Sequence, residues 1–598
     1  MMYKKANRFS HFLAISILCF ALVLSPMTAA APAYAATVDN KVVIENTVNG
    51  EDAISLTDER SFIVKLKITD MDKAALEAAI ASSKLSWTLS REKGMQDEQM
   101  FPYQFLGGAL DQWQTIQTTA QAKQPMFTNI ENTVLEESDG VYLQLEFDSK
   151  SLFGYNGVDG RSRAQVRNTI LDYTGEYVLE CAIDGAVKGN TTVPVRPYDS
   201  FNTQSEIYTK LDELAERAND AGLYAKVEEI GRTAEDRPIK AIFIAANESD
   251  LTDYQALTER EETEPAKVKA EIEAGTLSYK VPLMYSNIHA DEVVGSDACM
   301  DFLETIVSAA EDDGKIPYDT ITSLTEAGKT ELQKEMAADG KVWSDLIKGK
   351  VTGVGYIQGT GNFEPTDKNH SSDASVYMIR DDMEVYYNMV SKDLDVAKIL
   401  NDEFFIVVPS ENADGKTSLT RTNGNYFDLN RDNSFQTQPE TQAMTQFIAK
   451  WNPISFYEIH GYYSQFQVEP CTPTHEPNAE YDLFIDTALE EGENFGAAAI
   501  SNNDKLNSFQ MPMRDYLTVD GSGNKLWYPF DDMSTSYTPQ YSFMHGTNAF
   551  TVELAYGSQD AVDAVKYGFI GNANFVSANK KRMFENQLEF FRRGLENI

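Results

Sequence analysis

At 598 residues, 42% hydrophobic and 11% aromatic, the chain is too long for one ordinary domain and has the composition of a globular protein built from two or three. Its 92 acidic and 51 basic side chains give a net charge of −41, which excludes nucleic acid and anionic membrane surfaces as partners. Four cysteines with no C-x-x-C pair exclude a disulfide scaffold and a thiolate zinc site.

Residues 1–35 read as a secretory signal peptide. Lys4, Lys5 and Arg8 form a basic start, Phe12 to Leu24 is an apolar run, and Ala33-Tyr34-Ala35 is a small-x-small cleavage site. The run is shorter than the roughly 20 residues a membrane span needs. Cys19 follows Leu18 rather than a small residue, which argues against lipid attachment. The expectation is a secreted, extracellular protein with no membrane insertion once the leader is removed. Cys181, Cys299 and Cys471 then remain, enough for one disulfide with a thiol left over, along with His289, His370, His460, His475 and His545.

Residues 36–198 read as an all-β domain. Phe62–Ile68 and Val141–Phe147 alternate apolar and polar with period two, and Tyr177–Ile183 and Thr191–Val195 follow between Asp184-Gly and Lys188-Gly-Asn turn signals. One helical patch, Asp72–Ser82, interrupts. Short strands with turn punctuation point to a β-sandwich, and Asp172 to Cys181 is similar to a late strand of immunoglobulin-like domains, without the partner cysteine. Residues 199–598 change pattern. Helical spacing over Ser205–Ala221, a strand at Ile239–Ala245, charged helix over 251–275, a buried strand run at Val281–Ile288 and a helix over Asp297–Ala309 alternate as in an α/β domain. Residues 310–395 are polar, acidic and Gly-rich, with helix-prone pieces at Ser323–Met336 and Asp381–Met389, and read as an insertion, either a lid or surface decoration. Beyond it lie a strand at Phe404–Pro409, a helix at Gln438–Trp451 entered with capping-box spacing by Thr437 and Glu440, a strand at Ile454–Ile459, a helix at Asp482–Ala499, a strand at Ala549–Leu554 and a final helix over Asn574–Leu595.

Four of these apolar strands end in polar chemistry: at His289 and Glu292, at Ser410 to Gly415, at His460 and at Glu553. Open α/β sheets bind ligands at the carboxyl ends of their strands. Alone, H-x-x-E is most often an ordinary surface pair. Two imidazoles and a carboxylate together are a catalytic zinc donor set that leaves a position open for water.

From about residue 201 onward the sequence resembles the zinc carboxypeptidase family of the carboxypeptidase A/B type. The matching segments come in the family's order: His289-Ala-Asp-Glu292, Asn412-Ala-Asp-Gly415, Thr420 to Arg431, Gln438-Pro-Glu-Thr441, Glu458-Ile-His-Gly-Tyr-Tyr463 and Phe550-Thr-Val-Glu-Leu554. The resemblance implies a mixed-sheet α/β/α sandwich with eight strands. It also implies one Zn²⁺ per chain held by His289, Glu292 and His460, Glu553 as general base, Arg421 steadying the developing oxyanion, and Asn430 with Arg431 gripping the substrate's terminal carboxylate. The implied activity is hydrolysis of C-terminal residues from peptides. Alternatives are cleavage of cell-wall stem peptides at the same site, or a catalytically inactive binding protein. Departures are Asp291 between the first two ligands, Ala413 in place of Pro, and two candidates, Tyr528 and Tyr537, for the substrate-capping tyrosine. His370, His475 and His545 receive no role. Nothing in the sequence fixes the oligomeric state.

Overall fold

The computed structural model describes residues 42–596 except 48–52, 95–105, 115–123, 153–162, 329, 331–374, 379–382, 462–465, 472–480, 504–505, 507, 512–514, 520–524, 530–534 and 555–556. The expected signal peptide, most of the expected insertion, His370 and His475 lie outside the described residues.

Residues 42–196 form two β-sheets. One has the order Val42–Thr47, Arg60–Ile68, Gly140–Ser149, Phe127–Glu137, with every pair antiparallel. The other runs Ile54–Ser55, Ala186–Arg196, Gly175–Ile183, Leu85–Gly94, Gly107–Ala109. Arg60–Ile68 and Gly175–Ile183 alternate strictly between buried and less buried positions, the period of a strand with one covered face. Aromatic rings bridge the sheets: Trp113 lies 6.1 Å from Phe127 and 6.0 Å from Tyr177. The Tyr177 hydroxyl donates to the Tyr173 carbonyl at 2.7 Å, tying the strand to the end of the helix Arg163–Tyr173 before it. Asp72 caps the helix Lys73–Ala81, its Oδ1 accepting from Ala75 N at 2.8 Å. Cys181, Cys299 and Cys471 are buried and form no disulfide with one another.

The second body is built on a nine-stranded mixed sheet, one strand more than the eight the resemblance implies. Its order is Tyr224–Arg232, Pro238–Ala245, Glu403–Val408, Val281–Ser286, Ser455–Ile459, Asn548–Glu553, Gln467–Pro470, Ser508–Met511, Ser375–Met378. The four central strands, Glu403–Val408 to Asn548–Glu553, are mutually parallel. Their carboxyl ends therefore share one edge. These strands are apolar almost throughout because both faces are covered. Phe404 packs against Tyr254 and Trp451 on one side, while its neighbour Phe405 packs against Phe302 and Tyr285 on the other. Each such ring, fully buried, contributes about 1.5–3 kcal/mol.

Several elements depart from expectation. The charged stretch 251–275 is two helices, Glu248–Thr263 and Pro265–Glu273, because Pro265 suits a first helical turn but cannot continue one. Ser323 and Leu324, read as helix-prone, end the strand Lys315–Leu324, which pairs antiparallel with Tyr387–Asp395; among the described residues of the second helix-prone piece, Met383–Tyr386 is helical and the following residues are strand. No capping box forms at Thr437. Asp432 takes the Thr437 and Gln438 N–H groups at 2.8 Å each, and Glu440 accepts from Ala234 N instead. The last helix starts at Gln559 rather than Asn574. Its early glycines weaken the helical signal but permit close packing: a Cβ on Gly568 would stand 2.5 Å from the Phe495 ring.

The chain passes between the bodies through a buried junction. Tyr198 Oη donates to Asp297 Oδ2 at 2.6 Å, and Asn202 N donates to Asp297 Oδ1 at 2.9 Å. Lys416 Nζ donates to Ser296 Oγ at 2.6 Å beside them. Asp297 and Ser296 lie in the first turn of the helix Val294–Glu311, so the junction fixes the start of the helix that follows Glu292.

At the opposite, amino-terminal ends of the central strands sits a buried acid. Glu491 accepts from Ser455 Oγ and, at 2.9 Å, from Asn548 Nδ2, and burial pushes its carboxyl up to about 8. A carboxyl neutral in the fold but ionised in the unfolded chain stabilises fully below about pH 4.5, and that contribution is lost as pH rises toward 8. Glu491→Gln should therefore raise the unfolding temperature relative to wild type more at pH 8 than at pH 5, by an increment on the order of 1 kcal/mol or more. Calorimetry at the two pH values checks this, and an equal effect at both would contradict it.

Candidate metal centre

The shared edge of the parallel strands gathers the site. Val281–Ser286 ends three residues before His289, and the turn His289–Glu292 closes by a Glu292 N–H to His289 carbonyl bond of 2.9 Å. His460 directly follows Ser455–Ile459, and its N–H donates to the Val552 carbonyl at 2.6 Å, next to Glu553. Asn287 stitches the ends together. Its Nδ2 donates to the Ile459 carbonyl at 2.8 Å, and its carbonyl accepts Glu411 N at 3.1 Å. The stitch requires glycine at 295, where a Cβ would stand 2.4 Å from Asn287 Nδ2.

His289 Nδ1, Glu292 Oε2 and His460 Nδ1 converge. Glu292 Oε2 lies 3.0 Å from His289 Nδ1 and 3.2 Å from His460 Nδ1, and the two nitrogens are 3.0 Å apart. All three residues are 2–3% exposed. Two imidazole nitrogens at this distance either share a hydrogen or, with both lone pairs turned inward, present them to a cation. Donors about 2.0–2.1 Å from one zinc ion in tetrahedral geometry lie about 3.4 Å from each other, close to these separations. The donor set therefore fits zinc, with two imidazoles and one carboxylate.

Each imidazole is held from behind by an acid. His289 Nε2 lies 3.1 Å from Asp428 Oδ1, and His460 Nε2 lies 2.7 Å from Glu458 Oε2. Burial would raise Glu292, but the His289 charge and hydrogen bond hold it well below the usual carboxylate range. Burial would lower His460, but the Glu458 charge lifts it well above an ordinary imidazole. Burial likewise opposes the lowering of Asp428, which its His289 and Arg421 partners accomplish. Burial and the Glu458 charge push Glu411 well above the ordinary carboxylate range.

Glu553 lies at the end of its strand, partly exposed, and burial pushes it up to about 8 against the opposing charge of His460. The Glu292 and Arg421 charges also act on it, so it sits among them. Arg421 Nη1 donates to Glu292 Oε1 at 3.0 Å and its Nε to Asp428 Oδ2 at 2.7 Å. The Asn-Ala-Asp-Gly turn positions this segment. Asn412 caps the helix Ala413–Ser418 through Gly415 N at 2.9 Å, and its Nδ2 donates to the Arg421 carbonyl at 3.2 Å.

Asn430 and Arg431 lie on the turn Leu429–Arg431. Asn430 Oδ1 accepts Thr538 N at 3.0 Å, and the Arg431 guanidinium lies 4.4 Å from the Tyr537 ring centroid. Tyr528 lies on the strand Lys525–Pro529, its side chain outside the described residues. Asp291 is buried. His545 packs against Tyr541, with ring centroids 4.9 Å apart.

Sequence reasoning left Asp428, Glu458 and Glu411 without roles. A signal for Glu458 was present, since residues two apart on a strand share a face, so an acid at 458 lies beside His460. No such rule was available for Asp428, which reaches His289 from another segment.

Residues 191–319 match the family model described as zinc carboxypeptidase, a segment that includes His289 and Glu292. No curated protein sequence matches the chain. Similar solved structures include a metallo-carboxypeptidase from Burkholderia cenocepacia, at 12% identity and TM-score 0.35, covering 88% of this chain and 91% of that one. Another is a metallo-carboxypeptidase from Pseudomonas aeruginosa, at 11% identity and TM-score 0.34, covering 91% and 97%. A third is described as a putative carboxypeptidase A from Shewanella denitrificans, at 11% identity and TM-score 0.34, covering 89% and 90%. Among the described residues no helix is long and apolar enough to cross a membrane. The family match spans the loop that supplies two of the three converging donors, so residues 191–319 are similar to zinc carboxypeptidases in the stretch that carries His289 and Glu292, and the group completed by His460 could hold a metal ion.

Proposed function

We propose that the chain is a secreted zinc metallocarboxypeptidase that removes C-terminal residues from peptides, with Glu553 as general base. The reading divides the chain near residue 198 into a β module and a catalytic domain, and its secretion rests on the basic-apolar-small pattern of residues 1–35. The observation that carries the chemistry is the meeting of His289, Glu292 and His460 beside Glu553 at one sheet edge.

In this reading His289, Glu292 and His460 hold zinc, which when bound supplies Lewis acidity toward water and the scissile carbonyl. Glu553 takes the attacking water's proton and delivers it to the leaving amine nitrogen. A carboxyl raised by burial suits both halves of that exchange. Arg421 presents guanidinium donors to the carbonyl oxygen as negative charge develops on it. Arg431 pairs both oxygens of the terminal carboxylate through its planar fork, and the Asn430 side chain assists. Tyr537 is the preferred candidate for the substrate-capping tyrosine, because it already stacks against Arg431.

Two outcomes test this. Glu553→Gln should retain one zinc per chain while C-terminal residue release falls by about 10²–10⁴. Retention is read by metal analysis and release by mass spectrometry of a peptide digest, and an unchanged rate would end the assignment. Arg431→Ala should raise KM roughly ten- to a hundredfold, the loss of a charged hydrogen bond. Amidating the substrate's C-terminus should impose the same penalty on wild type and add nothing to the variant. An additive penalty would move the carboxylate grip elsewhere.

A further inference from the structure

The strand Ser455–Ile459 carries an acid sealed inside the sheet. Glu458 is fully buried, between Tyr457 and Ile459 and in register with Ser286 and Thr551 on the neighbouring strands. A buried carboxylate is destabilising unless paired. Its Oε2 faces His460 Nε2 at 2.7 Å, but its Oε1 finds no donor, and neither does Oε1 of the adjacent buried Glu411. Packing alone does not require this arrangement, since an amide or an aliphatic side chain of similar size would fill the space without the unsatisfied oxygen.

The geometry of His460 supplies a reason. An imidazole has two nitrogens, and one ligates only if the other bears the hydrogen. Carboxylate oxygens accept, so Glu458 selects the form with the hydrogen on Nε2 and the lone pair on Nδ1. Nδ1 is the atom that meets His289 Nδ1 and Glu292 Oε2. Asp428 stands in the same relation to His289. The two supports differ in mounting. Asp428 is 24% exposed at its side chain and shared with Arg421, whereas Glu458 is sealed inside the sheet. Its strand is clamped on both edges by parallel pairing, so the carboxylate can shift little.

We propose that Glu458 is a positioning residue that fixes the ring orientation and tautomer of His460 and so sets the affinity of the centre for zinc. This rests on the reading of His460 as a zinc ligand. Loss of such a support typically lowers metal affinity by about 10–100-fold.

The test is zinc affinity, measured on the full chain by competition with a chromophoric chelator, alongside the unfolding temperature of the metal-free protein. Glu458→Leu should weaken zinc binding roughly ten- to a hundredfold, and Glu458→Gln, which can still accept from Nε2 but lacks the charge, should fall between it and wild type. Glu411→Gln, at the neighbouring buried acid, should leave the affinity within about threefold, well below the usual effect of losing a direct support. The metal-free unfolding temperature of Glu458→Gln should not drop below that of wild type. Should Glu458→Leu fail to fold, the comparison of Glu458→Gln with Glu411→Gln decides. Wild-type affinity in Glu458→Gln and in any folded Glu458→Leu, or equal losses in Glu458→Gln and Glu411→Gln, would overturn the inference while leaving the zinc site intact. A wild-type chain that takes up no zinc would overturn the ligand reading itself.

Discussion

Everything at the site depends on the parallel pairing of four strands. Val281–Ser286 pairs with Glu403–Val408 on one side and Ser455–Ile459 on the other, and Ser455–Ile459 pairs onward with Asn548–Glu553. Because all four point the same way, residues more than 260 positions apart, from His289 to Glu553, leave the sheet at one edge. A one-residue slip in any pairing would turn a polar terminus to the opposite face of the sheet. The apolar side chains on both faces resist that slip, so the same burial that stabilises the body sets the geometry of the donors. The Asn287 stitch converts that edge into a rigid frame, since it bonds the first ligand loop to the backbone of the third ligand's strand.

The site concentrates negative charge away from water. Glu292 and Glu458 are sealed, Asp428 is largely covered, and Glu553 is raised by burial. Arg421 answers two of these acids, Glu292 and Asp428. A divalent cation at the meeting point of the donors would neutralise Glu292 and lower Glu553 toward the ionised form a base requires. The buried junction at Tyr198, Asn202, Asp297 and Lys416 adds a mechanical element. It pins the helix that begins just after Glu292 to Tyr198 and Asn202, so hydrogen bonds tie the start of that helix to the segment that leaves the last strand of the N-terminal sheets.

Much of this was legible in the sequence. The parallel strands announce themselves as apolar runs because both of their faces are covered, and a histidine or glutamate at the end of such a run stands out. The donor group His289, Glu292 and His460 was accessible for that reason, as was the placement of Arg421, Asn430 and Arg431 on one segment. Less legible were features decided by competition or by contacts across the fold. At the entry to Pro439–Trp451, Asp432 takes the Thr437 N–H that Glu440 would accept in a capping box. Gly568 conceals a helix whose close packing outweighs weak propensity. The ribbon of Lys315–Leu324 with Tyr387–Asp395 joins segments more than 60 residues apart, and local pattern carries no trace of that pairing. Asp428 and Glu458 have meaning only through the imidazoles they touch.

The central claim is that His289 Nδ1, Glu292 and His460 Nδ1 hold one zinc ion. Anomalous diffraction from crystals grown with zinc, recorded on both sides of the zinc absorption edge, tests it most directly. The account predicts one strong edge-dependent peak bonded to those three side chains. A peak bonded to other residues, or none in this crevice, would contradict it.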